Sequence, residues 1–324
     1  MNILIIGAAG MVGRKLSERL ARDGSLGGKA ISALTLYDVV EAAVPADTKV
    51  PVKIATGDLP APGETARLVA DKPDVIFHLA AIVSGEAEQD FDKGYRINLA
   101  GTHSLLEAVR AAGHKPRVVF TSSIAVFGAP FPEAIGDEFF HTPLTSYGTQ
   151  KSIGELLVSD YTRKGFLDGL SIRLPTICVR PGAPNKAASG FFSNIIREPL
   201  AGKEAVLPVS ESVMHWHASP RAAVEFLRHA ATIDTAVVGP RRALTMPGLA
   251  VTVGEQIEAL RKVAGDKVVA RIKRAPDPFI EQIVAGWPRR FDTRRALELG
   301  FKPDASFEEI IRIHIADELG GQIA

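Results

Sequence analysis

An apolar run rich in β-branched residues, Asn2-Ile3-Leu4-Ile5-Ile6, leads directly into Gly7-Ala8-Ala9-Gly10-Met11-Val12-Gly13, and the stretch from Arg14 to Leu20 then has the pattern of a helix. The first run suits a strand buried on both faces of a parallel sheet. Strand, glycine turn and helix in that order leave few folds open. Glycines spaced GxxGxxG allow a tight turn, close approach of the backbone to a pyrophosphate and close helix packing, with the phosphates over the helix N-terminus. The expectation is an α/β chain with a Rossmann-type, doubly wound parallel sheet, holding a dinucleotide at Gly7, Gly10, Met11, Val12 and Gly13. The opening run lacks the positive n-region of a signal peptide, which favours reading it as a strand.

The next segments repeat the strand–helix theme. Residues 33–38 read as a second strand ending in Asp38, an acid 25 residues after Gly13. A carboxylate there accepts hydrogen bonds from ribose hydroxyls and repels a 2′-phosphate, so NAD is expected, with NADP as the weaker alternative. No Lys or Arg follows Asp38 until Lys49 to compensate a phosphate. Third and fourth strands are expected over residues 53–59 and 74–81, the latter closing on His78-Leu79-Ala80-Ala81. His78 is read as a packed strand-end histidine. A helix follows over residues 97–113, and residues 117–123 form a fifth strand with hydroxyls at its C-terminal end, where open parallel sheets hold their ligands.

Tyr147 and Lys151 stand four residues apart just after a Pro-containing loop. If this is the start of a helix, phenol and ammonium share one face. A free tyrosine, with a pKa near ~10, is too fully protonated to act as a base at neutral pH, and a neighbouring cation lowers that pKa.

Taken in order, the glycine turn, Asp38, His78-Leu79-Ala80-Ala81, the segment from Thr121 to Gly128 and Tyr147-x-x-x-Lys151 resemble short-chain dehydrogenase/reductase proteins of the extended type. The resemblance implies catalysis by Ser123, Tyr147 and Lys151. It also implies cofactor contacts at Asp58 and Leu59 for the adenine, at Leu79, Ala80, Ala81 and Asn98, at Tyr147 and Lys151, and from Pro175 to Ile177 along the nicotinamide. A two-fold dimer through the helices around Asn98 and Tyr147 is expected on the same ground.

Departures from the family pattern narrow the chemistry. Nucleotide-sugar epimerases of the family carry an Asn three residues after the strand Arg, where this chain has Thr176 after Arg173. Sugar dehydratases carry an acidic pair after the active-site hydroxyl, where this chain has Ile124-Ala125. The second half, with its Arg180-Pro181-Gly182 loop, Asn185-Lys186, the segment from Ser189 to Phe192 and His215-Trp216-His217, resembles members that oxidise the C2 hydroxyl of a small sugar acid. Ser123, Tyr147, Thr176, Arg180 and His217 are therefore the expected substrate contacts. An epimerase or a non-catalytic NAD(H)-binding regulator is the alternative. The histidine pair lacks a third ligand cluster, so no metal site is expected. Arg241 and Arg242 read as a surface pair.

Domain organisation follows from the same reading: an NAD-binding domain over residues 1–175 and a smaller α/β substrate lobe, interleaved with it, over residues 176–324. Composition sets the remaining bounds. With 38 basic against 37 acidic residues, nothing draws the chain to nucleic acid or an anionic membrane, and the partner is expected to be small. No run approaches the ~20 apolar residues of a membrane helix. Cys178 is the only cysteine, which excludes an intrachain disulfide and, with the rest, suits a cytoplasmic enzyme.

Overall fold

A computed structural model describes residues 1–182 and 189–324, so Asn185 and Lys186 lie outside the described residues. Apart from a small hairpin of Ser25–Leu26 with Lys29–Ala30, six strands are laid down before the chain reaches Pro175: β1 (Asn2–Ile6), β2 (Ala33–Asp38), β3 (Val52–Thr56), β4 (Val75–His78), β5 (Arg117–Ser123) and β6 (Asp168–Leu174). Six more follow, namely β7 (Thr176–Ile177), β8 (Ala205–Leu207), β9 (Met214–Ala218), β10 (Ala243–Thr245), β11 (Leu249–Thr252) and β12 (Ile272–Arg274). The central sheet has seven strands in the order β3-β2-β1-β4-β5-β6-β10, every pair parallel. The expected doubly wound architecture is therefore what forms. Order reverses between β1 and β4, which is where such sheets open a crevice at their C-terminal edge.

Register positions the edge. Ile6 pairs with His78 and His78 with Phe120, so β5 runs three residues further and sets Ser123 opposite Leu174. The Met11–Asp23 helix starts directly after the glycine turn and stops at Gly24, whose left-handed φ of 67° lets its N–H return to the Leu20 carbonyl.

Of the three large apolar cores, two draw on the second half of the chain. One joins β1, β2 and β6 to Ala222, Phe226 and Leu227 of the Pro220–Thr232 helix and to Phe301. The other is built from Phe191, Phe192, Ile195, Leu260, Ile310 and Ile311. The first core thus draws on residues well past 175, and β10 completes the large sheet, so the two regions interleave in space. A three-stranded sheet, β11-β9-β7, ties them together, because Thr176 and Ile177 of β7 pair with His217 and Ala218 of β9. The apolar pattern from Val268 to Lys273 would suit a strand, but the extended part is shorter. Asp266–Val269 instead closes a helical turn after Gly265, leaving only Ile272–Arg274 extended.

Candidate active site

The glycine turn is a cradle made of backbone. Gly7 has φ 95°, and a Cβ there would stand 2.6 Å from the Ala80 nitrogen; one on Gly13 would run into the Gly7 carbonyl. Gly10 is different: it is exposed, and its absent Cβ leaves the surface open for a ligand. No side chain caps the helix that begins at Met11, so its first N–H groups are free to meet a pyrophosphate. The Asp38 carboxylate is aimed at this turn, accepting from the Ala9 N–H at 2.9 Å and the Val39 N–H at 2.7 Å. Leu79 and Ala80 both donate their N–H groups to the Ile6 carbonyl, which keeps the ends of β1 and β4 together. These features fit a dinucleotide with an unphosphorylated ribose.

Two expected cofactor residues have protein partners. Asp58 pairs with Arg96 at 2.5 Å, beside buried Leu59. Asn98 lies in a π-helical stretch, Tyr95–Ala100, and is saturated: its amide bonds Ile82 on both sides, at 2.9 and 3.2 Å, and donates to Gln150 at 2.7 Å. Its role in this geometry is to hold the loop after Ala81 against the Ser146–Arg163 helix. Irregular helix turns of this kind often accompany functional sites.

The Ser146–Arg163 helix is capped by Thr145, whose hydroxyl accepts from the Gly148 N–H at 3.0 Å. Tyr147, Lys151 and Glu155 follow at intervals of one turn. A Cβ on Gly148 would strike the Ala125 carbonyl, so only glycine lets this helix pack onto the turn that carries Ser123. Burial pushes the Tyr147 phenol up, while the Ser123 hydroxyl and the Arg180 charge pull it back. Lys151 is buried. Its ammonium donates to the Thr121 carbonyl at 2.7 Å and lies 5.7 Å from the Tyr147 ring centroid. Burial lowers its pKa to about 7, against the opposing pull of Glu155. The cation acting on the phenol here is Arg180, whereas the sequence pointed to Lys151, helped by the cationic nicotinamide ring.

Glu155 was not anticipated, although its place one turn beyond Lys151 is a legible signal. Its buried carboxylate accepts from the Ser122 hydroxyl at 2.5 Å and from Arg173 at 2.8 and 2.9 Å, with His141 at 3.0 Å. Burial works to raise its pKa, yet Arg173 and His141 overcome this and hold it at about 2. The network binds the ends of β5 and β6 to the helix bearing Tyr147.

The lobe supplies the opposite wall. Thr176 directly follows Pro175 and bonds His215 at 2.7 Å. Arg180 folds back so that its Nε donates to the Ile177 carbonyl at 3.2 Å and an Nη donates to Ser189 at 3.3 Å. No acidic partner reaches it among the described residues, and its charge acts on both Tyr147 and His215. Arg180 and Met11 of the glycine turn line one small cavity with Ser193 and Asn194. His217 does not join this wall: it is fully buried, packed between Phe192 and Phe307 and bonded to Gln256 at 2.9 Å. The alternation of β9 puts both histidines on one face, but His215 is the one bonded to Thr176. Arg241 and Arg242 are not free surface cations: Arg241 pairs with Glu138, and Arg242 lies 3.4 Å from Asp168. Among the described residues no group of three His, Cys, Asp or Glu side chains could hold a metal.

Comparison with known proteins matches residues 3–238 to the NAD dependent epimerase/dehydratase family. The chain belongs to that family. NAD is accordingly its cofactor, as Asp38 led us to expect. A D-erythronate dehydrogenase of Cupriavidus necator is 48% identical over 321 residues, 98% of each chain, and one of Haemophilus influenzae is 43% identical over 96% of this chain and 98% of its own. A crystal structure described as a nucleoside-diphosphate-sugar epimerase from Agrobacterium tumefaciens is 66% identical with a TM-score of 0.98, covering 100% of this chain and 96% of that one.

Proposed function

We propose that the protein is a dehydrogenase that oxidises the C2 hydroxyl of D-erythronate to the 2-oxo acid, reducing NAD. The observation that carries this reading is the Arg180 guanidinium, without an acidic partner among the described residues, whose charge acts on the Tyr147 phenol: a cation for a carboxylate and a base for a neighbouring hydroxyl. The names of the Cupriavidus and Haemophilus relatives, similar along nearly their whole length, support it. Gly7, Gly10, Asp38 and Pro175 would hold NAD, which would supply the hydride acceptor. Tyr147, as phenolate, takes the hydroxyl proton, and Ser123 donates a hydrogen bond to the same oxygen. Lys151 sets a positive charge under the ring and anchors the helix through Thr121. Arg180 orients the acid and keeps the phenolate accessible by opposing the effect of burial.

The name of the Agrobacterium structure favours a second reading, epimerisation of a nucleotide sugar. Thr176, where such epimerases carry an Asn, weighs against it. Rates of NADH formation with a panel of four- to six-carbon sugar acids, with UDP-sugars alongside, separate the two. Turnover of D-erythronate and none of L-threonate is the expected result; epimerisation of a UDP-sugar with silence on every acid would overturn the dehydrogenase reading.

We further propose a cytoplasmic homodimer. An open groove of about 620 Å³ lined by Tyr95, Leu99, Ile153 and Leu157, beside Leu156 at 63% exposure, supports pairing along these two helices. Light scattering at the monomer mass would refute it.

A further inference from the structure

The hydrogen-bond polarity of Thr176 can be read from its neighbours. His215 Nδ1 lies 2.9 Å from the Pro288 carbonyl, which can only accept, so Nδ1 carries the proton. Phe192 stacks parallel to the imidazole at 5.2 Å and Trp287 packs at 5.3 Å. Turning the ring over between them would set carbon atoms against both Pro288 and Thr176 and lose both bonds. Burial, with the nearby Arg180 charge acting in the same direction, lowers the His215 pKa to about 4, so the ring is neutral at neutral pH. Its Nε2 is then a bare lone pair, and the hydroxyl 2.7 Å away must donate to it. With its one proton committed, Thr176 Oγ1 has only lone pairs left to offer a ligand. Thr176 is only half-buried, and the Arg180 Nε donates at 3.2 Å to the carbonyl of Ile177, the very next residue, so the hydroxyl and the guanidinium belong to one short stretch of the lobe.

We infer that Thr176, oriented by His215, selects substrate by accepting a hydrogen bond from a second substrate hydroxyl, while Arg180 takes the carboxylate. The inference rests on the polyhydroxy-acid reading given above. It divides the cavity by polarity: an acceptor-only position admits O–H and disfavours a carboxylate oxygen, so the acid can enter in one direction. His215 is a positioning residue, acting on the substrate only through Thr176.

The test compares kcat/KM for D-erythronate with that for its 3-deoxy and 4-deoxy analogues and the matching deoxyfluoro acids, in which fluorine can accept but cannot donate. Sites built to bond a substrate hydroxyl reject analogues lacking it strongly. For one of the two positions the wild type should prefer D-erythronate by roughly 100-fold over the deoxy analogue, and the deoxyfluoro acid should be equally poor. Thr176→Val should shrink that preference to about threefold or less, and Thr176→Ser should restore it. An unchanged preference in Thr176→Val, or a fluoro analogue as good as D-erythronate, would overturn the inference. Wild-type silence on D-erythronate itself would instead reject the substrate reading on which the inference rests. Nitrogen-15 spectra of the histidines supply a readout independent of turnover: a His215 ring protonated at Nε2 at neutral pH would also overturn it.

Discussion

The two walls of the cleft are built from different materials. On the nucleotide side the surface is backbone: Gly7 and Gly13, where a Cβ has no room, an uncapped helix start, and an Asp38 carboxylate fixed by two N–H groups. On the lobe side it is side chain: Thr176 locked to His215, and Arg180 without an acidic partner among the described residues. Backbone surfaces suit a cofactor common to a whole family, because they depend on glycine and little else. Side-chain surfaces are where the substrate is chosen. Tyr147 stands between the two, raised by burial and lowered by one group from each region, Ser123 of the sheet and Arg180 of the lobe.

The largest effect should come from breaking the shared element. Tyr147→Phe removes the base and should lower kcat by about 1,000-fold, within the usual range for general-base loss, while NADH affinity measured by fluorescence stays near wild type. Near-normal turnover would remove Tyr147 from the chemistry.

Arg180→Met should sharpen the division of labour. With the cation gone, KM for the acid should rise roughly 100-fold, as expected when a charged hydrogen bond of ~1.5–3 kcal/mol is lost from a sheltered site. The phenol loses an influence that lowers its pKa, so the rise of kcat/KM with pH should move to higher pH. If KM for NAD rises instead, Arg180 serves the pyrophosphate through the cavity it shares with Met11.

Acid should separate the regions more gently. Burial holds His215 and His314 of the lobe at about 4, keeps His217 well below its usual value, and holds His78 of the sheet at about 3. A buried histidine with a depressed pKa contributes stability that is present above its unfolded value of ~6.5 and lost as pH falls towards the folded value, at about 1.4 kcal/mol per pH unit for each proton. Glu155, held at about 2, gives up its contribution only below the ordinary carboxylate range. The lobe carries three of these four histidines and both tryptophans, Trp216 and Trp287. Tryptophan fluorescence should therefore change at higher pH than the far-UV circular dichroism of the whole chain; coincident transitions would make the two cores one cooperative unit.

These contrasts follow what was readable before any coordinates. The doubly wound parallel sheet, the glycine cradle, Asp38 and the Tyr147–Lys151 spacing are local patterns, each dictated by a short stretch whose period or backbone freedom admits few alternatives. For that reason the fold, the family and NAD could be read from the chain itself. Glu155 lay within such a pattern and went unremarked, because only its neighbours Arg173, His141 and Ser122 give a buried carboxylate its purpose. The choice between His215 and His217 was out of reach: both point the same way along β9, and only the packing of Phe192, Phe307 and Gln256 around one and the nearness of Thr176 to the other tell them apart. The interleaving of the two regions through β10, and the action of the Arg180 charge on Tyr147, likewise depend on bringing together segments distant in sequence. Burial, charge and hydrogen-bond direction are properties of such contacts, and they exist only once the chain has folded.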